Sequence, residues 1–129
     1  MDNGKANGFY SGLTALNRLG LSTQMPNTIE ICTNSERTKL RTVKVGSRDV
    51  TLRRSRVKIT NENLNVISFL ELMNTIPTGF FDDERKSIIG KWVRDNKITR
   101  DLILKYAPEF PDKAMRNLVE SEAVFYVAQ

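Results

Sequence analysis

Nine basic side chains fall between Glu36 and Lys58: Arg37, Lys39, Arg41, Lys44, Arg48, Arg53, Arg54, Arg56 and Lys58. Only Glu36 and Asp49 oppose them, so this segment of 23 residues holds a net +7, while the whole 129-residue chain is +5. Positive charge at that density attracts phosphate backbones or an acidic partner surface. The same pattern also describes a solvated strand edge, which Lys and Arg protect against pairing with other chains. Other chemistry is thinly supplied. The chain has no histidine, which removes His general bases, Ser-His-Asp triads, Cys-His dyads and His-bearing zinc sites together. Its one cysteine, Cys32, forms no internal disulfide and suits a reducing cytoplasm. The run Asp82-Asp83-Glu84 suggests Mg²⁺, but three consecutive residues of a helix diverge, and a dipole-complementing N-terminus accounts for them better. Gly-rich phosphate loops, nucleophile elbows and zinc spacings are all missing from the sequence. We therefore expect a non-enzymatic chain without metal or cofactor. Its binding residues are expected to be Arg37, Lys39, Arg41, Arg48, Arg53, Arg54, Arg56 and Lys58.

The elements that position those residues begin with a hairpin. Gly46-Ser47 is a Gly-X loop of the kind that makes a type II′ turn. A two-residue loop fixes the register, setting Val45 against Arg48, Lys44 against Asp49, Val43 against Val50, Thr42 against Thr51 and Arg41 against Leu52. The ion pair, the β-branched pair and the Thr–Thr pair are favourable cross-strand neighbours, each worth about 0.2–1 kcal/mol. Pairing with Asp49 discounts Lys44 as a phosphate ligand. The apolar phase then slips between Leu52 and Val57, which predicts a β-bulge or bend that splays Arg53, Arg54 and Arg56 outward together.

Upstream, residues 1–12 are polar and rich in Gly and Asn, and read as a flexible tail without the apolar core of a secretory signal. Leu13, Leu16 and Leu19 predict a short helix ended by Gly20 in a left-handed cap. Pro26 marks a break, and Thr28–Thr33 alternates as a strand with Cys32 packed and inert. Downstream, Leu64–Ile76 is apolar around most of a helix, with Asn65, Ser68, Glu71, Asn74 and Thr75 as its polar stripe. Pro77-Thr78-Gly79 ends it, and Asp82–Asn96 forms the next helix around Ile88, Ile89, Trp92 and Val93. Thr99 caps a third helix and Asp112 a fourth, the latter with Met115, Leu118 and Val119 inward; the last residues form a strand or a docked helical tail. The expected fold class is α+β: a small antiparallel sheet with a basic β-hairpin, packed against a helical C-terminal half. A single domain over 13–129 is expected, with helix and sheet over 13–60 and mainly helices over 61–129. Aromatic residues do not interleave with the basic segment, and no helix-turn-helix carries clustered Arg, Asn or Gln, so aromatic stacking and groove-reading helices are disfavoured.

The stretch from Ala15 to Pro26 (ALNRLGLSTQMP) resembles a recurrent motif of the AbiE-type antitoxins, components of bacterial abortive-infection, type IV toxin–antitoxin systems that act in phage defence. The similarity continues through Ile29–Thr33, Thr42–Arg48 and Val50, Leu52, Arg53 and Arg54, and covers about Gly8 to Thr60. It implies a cytoplasmic antitoxin domain that counteracts a nucleotidyltransferase-like toxin, the expected functional partner. Joined to a winged-helix DNA-binding domain, such a domain supports transcriptional repression of its own operon. Only a short polar stretch precedes the motif, so the chain is expected to correspond to the C-terminal domain of that family. The alternative is a free-standing basic module contacting DNA or RNA backbones through the hairpin, with no membrane partner in either case.

Overall fold

The computed structural model describes residues 7–24, 28–36, 39–77 and 79–128. The fold class is α+β, as expected: among these residues there are four strands in one sheet and five α-helices. The chain divides into two compact units, residues 1–64 and 65–129.

The first unit contains the sheet, in the order β1-β2-β4-β3. Strand β1 (Gly8–Tyr10) lies inside the segment expected to be a flexible tail. It pairs antiparallel with β2 (Ile29–Thr33), Phe9 opposite Cys32 and Tyr10 opposite Ile31. Gly8 permits this approach, because a Cβ there would stand 2.7 Å from the Cys32 carbonyl oxygen. The polar composition of the tail concealed a strand whose partner lies more than twenty positions away. Helix α1 (Gly12–Arg18) then leaves the sheet, and Thr14 ties it to β2 by accepting the Glu30 N–H at 3.0 Å. Its end is a Schellman motif: Gly20 at φ +80° donates to the Asn17 carbonyl and Leu21 to the Leu16 carbonyl, with Leu16 and Leu21 both buried.

Strands β3 (Leu40–Val45) and β4 (Arg48–Arg54) form the hairpin in the register derived from its turn. Gly46 has φ +64° and Ser47 stays at negative φ, as a type II′ turn requires. Strand β4 also pairs parallel with β2, Ile29 opposite Val50 and Ile31 opposite Leu52, so the sheet is mixed rather than wholly antiparallel.

The second unit is helical. Helix α2 (Leu64–Thr75) buries Val66, Ile67, Phe69, Leu70, Leu72 and Met73, and with them Glu71, which the polar stripe had placed at the surface. Helix α3 (Asp83–Asp95) is capped by Asp82, whose carboxylate accepts the Arg85 N–H at 2.8 Å, and Trp92 stacks on Phe69. Thr99 caps α4 (Arg100–Tyr106) as expected, whereas α5 (Asp112–Glu120) starts from Pro111, with Asp112 in its first turn. On α5 the inward set differs from the expected one: Leu118 and Asn117 are buried, Met115 is half-buried and Val119 is 63% exposed. Asn117 holds this position by donating to the carbonyls of Met73 and Ile76 at the C-terminal end of α2, at 2.7 and 2.9 Å. The C-terminal segment forms a 3-10 turn (Ala123–Tyr126) and then a single parallel bridge between Ala128 and Thr99.

Candidate functional site: the basic hairpin

Side chains alternate across a sheet, so the register assigns every hairpin charge to a face. One face carries Arg41, Arg48 and Arg54 alongside Tyr10, Ile29, Ile31, Val43, Val50 and Leu52. Lys39 extends this set, because its carbonyl accepts the Arg54 N–H at 3.1 Å and continues the ladder by one pair. The opposite face carries Lys44, Asp49, Glu30 and Arg53. Charge is therefore segregated. The first face holds four bases and no acidic strand residue, and the second holds two bases and two acids.

The second face neutralises itself. Lys44 lies 3.8 Å from Asp49, the pair expected from the register. Arg53 Nε donates to Glu30 at 3.3 Å, and Ser11 Oγ donates to the same Glu30 oxygen at 2.7 Å. Thr28, Thr51 and Thr42 continue the polar surface, with successive hydroxyl oxygens 3.3 Å apart. Gly12, at φ +59°, leaves room for the Glu30 carboxylate, which a Cβ there would meet at 2.6 Å. Arg53 is thus only 36% exposed and belongs to a local network.

The expected joint display of Arg53, Arg54 and Arg56 is corrected by this geometry. Strand β4 pairs residue for residue through Arg54 without a bulge, and the chain bends only afterwards, at 56–57. Arg53 and Arg54 therefore point to opposite faces. The slip in apolar phase comes from the strand ending, not from an inserted residue.

On the first face, Arg41 is fastened to Glu36, whose buried carboxylate accepts at 3.1 Å. Lys39, Arg48 and Lys58 are exposed and form no ion pair among the described residues. Arg54 and Arg56 are exposed and have partners of their own. Arg37 lies outside the described residues. The structure thus brings Lys39, Arg41, Arg48 and Arg54 onto one surface and separates Arg53 from them. Sequence reasoning missed Glu36 and Glu30 as partners, since neither stands opposite its arginine in the hairpin register. It also missed Arg18, whose guanidinium lies 4.3 Å from the Tyr10 ring centroid.

The acidic run behaves as a helix start, with Asp82 the cap and Asp83 and Glu84 in the first turn of α3. Among the described residues, no group of three His, Cys, Asp or Glu side chains is arranged to hold a metal ion. Among the same residues, no helix is long and apolar enough to cross a membrane. Neither the curated proteins nor the solved structures give a match to the chain. Residues 3–101 match a family described as a family of unknown function (DUF6088), spanning β1, α1, the basic hairpin and the first two helices of the second unit. The chain is a member of the DUF6088 family.

Proposed function

We propose that this chain is a non-enzymatic antitoxin-type domain that counteracts a nucleotidyltransferase-like toxin and supports operon repression when joined to a winged-helix DNA-binding domain. The observation that supports this reading is that the residues carrying the resemblance fold together. The stretch from Gly8 to Thr60, which resembles the AbiE-type antitoxins, lies within one compact unit ending at Leu64. Within it the motif helix α1 is fastened to β2 from one side, and the basic hairpin pairs with β2 from the other. The test is co-expression in bacteria. The chain, induced together with a nucleotidyltransferase-type toxin of such a system, restores colony formation; growth arrest that persists at matched expression rejects the proposal.

A second reading is favoured by the segregation of charge: the face bearing Lys39, Arg41, Arg48 and Arg54 contacts a nucleic-acid backbone. Backbone contacts position a protein without reading sequence. Binding of this kind is indifferent to sequence and weakens steeply as salt rises. Anisotropy titrations of labelled DNA and RNA duplexes at several salt concentrations measure it directly, and an affinity insensitive to salt rejects it.

A further inference from the structure

We infer that the outer edge of β3 is a docking site for an extended acidic segment of a partner protein, which adds to the sheet as a fifth strand antiparallel to β3. This inference uses the backbone of the hairpin edge and stands independently of both readings above.

Among the described residues β3 is an edge strand, paired with β4 alone. In a two-residue hairpin the residues flanking the turn form a hydrogen-bonded pair, and such pairs recur at every second position. Val45, Val43, Arg41 and Lys39 therefore bond toward β4, consistent with the Arg54 N–H to Lys39 carbonyl bond. The N–H and C=O groups of Leu40, Thr42 and Lys44 point away from β4, along the open edge. Five of the six residues of β3 are exposed, with Leu40 at 51% and Val45 at 62%, so the edge is accessible over its whole length.

Charge selects the occupant. Between Lys39 and Arg54 six bases stand against Asp49, and with Glu36 on Arg41 and Glu30 on Arg53 a surplus of three positive charges remains, while β3 itself has no acidic residue. A second copy of the chain pairing edge to edge would bring together two strands that each carry Lys39, Arg41 and Lys44 and have no acidic residue of their own. Basic residues on an edge resist such self-pairing. An acidic strand meets no such barrier and gains the backbone ladder together with favourable cross-strand pairs.

The register specifies the partner further. Acidic residues belong opposite Lys39, Arg41 and Lys44, apolar residues opposite Leu40, Val43 and Val45, and a threonine opposite Thr42. Read from its N-terminus in the antiparallel direction, the fitting strand is Val-Glu-Val-Thr-Glu-Leu-Glu.

That peptide, capped at both ends, is the probe. It is titrated into the isotope-labelled full chain, with affinity read from chemical-shift changes and edge occupancy from hydrogen exchange of individual amides. The expected result is binding, with slowed exchange at Leu40, Thr42 and Lys44. Methylation of the peptide nitrogens that face β3 weakens binding by at least about tenfold, because it removes the ladder and leaves the charge untouched. Thr42→Pro has a similar effect, since proline is tolerated on an edge strand where its missing N–H faced outward. Thr42→Val retains binding and serves as the folded control. Equal binding of methylated and unmethylated peptides would overturn the inference and reduce the contact to charge attraction. So would unchanged amide exchange on β3, an oligonucleotide that protects the same three amides while the peptide does not, or dimerisation of the chain through this edge.

Discussion

Replacing Lys39 and Arg48 by glutamine removes two positive charges from one sheet face, and replacing Lys44 and Arg53 removes two from the other. If the backbone-contact reading holds, the two double variants differ sharply although their net charges are equal. Lys39 and Arg48 form no ion pair among the described residues, so each is available to displace a counterion from a phosphate. Lys44 and Arg53 are paired with Asp49 and Glu30 at 3.8 and 3.3 Å. Each phosphate contact contributes about −0.9 to the slope of log affinity against log salt on duplex DNA. The first variant should therefore lose about 1.8 from that slope, equivalent at 0.1 M salt to roughly sixtyfold in affinity. The second should lose less than about 0.5, and its cost should appear instead as destabilisation, because Arg53→Gln strips Glu30 of one of its two donors. Fluorescence anisotropy with a labelled duplex between 50 and 400 mM salt measures both slopes, and urea unfolding measures both stabilities. Equal slopes for the two variants would refute the division of the sheet into a binding face and a self-neutralised one.

Gly12→Ala places a side chain at φ +59° and a Cβ 2.6 Å from Glu30, costing about 1–2 kcal/mol in backbone conformation plus the Ser11 and Arg53 bonds if the carboxylate moves aside; urea unfolding with no loss of stability would contradict this. Lys97 has φ +52° at the left-handed position that ends α3, its N–H on the Arg94 carbonyl and that of Ile98 on Val93, so Lys97→Gly should stabilise the chain by about 0.5–1 kcal/mol in the same assay. Asn117→Ala leaves the Met73 and Ile76 carbonyls without their donor in a buried site, and should destabilise by about 2–4 kcal/mol in urea unfolding. The hydrogen bond to Glu122, aided by its charge and that of Asp83, raises the Lys86 ammonium above its ordinary value of 10.5. That pair's contribution is complete below the unfolded-state pKa and is lost as pH rises through the higher folded one, so the melting temperatures of wild type and Lys86→Gln should converge only in that alkaline range.

What could be read from the sequence was what short-range geometry determines. Gly46-Ser47 fixed the entire hairpin register, because a two-residue loop admits one alignment of the flanking strands. Gly20, Asp82 and Thr99 ended or began helices for equally local reasons. Features that depend on distant partners were hidden. The pairing of β1 with β2 and the parallel alignment of β2 with β4 join segments about twenty residues apart, with no turn to declare them. Asn117 carries no sign in a helical pattern that its amide is needed where α2 ends, so Val119 looked like the better inward residue. The candidate site divides in the same way. Its composition and the pair between Lys44 and Asp49 were legible, whereas the capture of Arg53 by Glu30 and of Arg41 by Glu36 was not.

That division changes what the net charge of the segment means. A count of nine bases against two acids treats every charge as equally available, but strand alternation sorts them before any partner arrives. Glu30 comes from β2 and sits diagonally across from Arg53 only because β2 runs parallel to β4 in that register. A pairing shifted by one residue would turn Glu30 to the other face, among Arg41, Arg48 and Arg54, and leave Arg53 without its carboxylate. The basic face therefore owes its freedom from acidic strand residues to a long-range strand alignment. Ser11 and Gly12 sustain that alignment from the start of α1, one donating to the Glu30 carboxylate and the other leaving space for it. The start of α1 thereby governs the electrostatics of a hairpin it precedes by more than twenty residues.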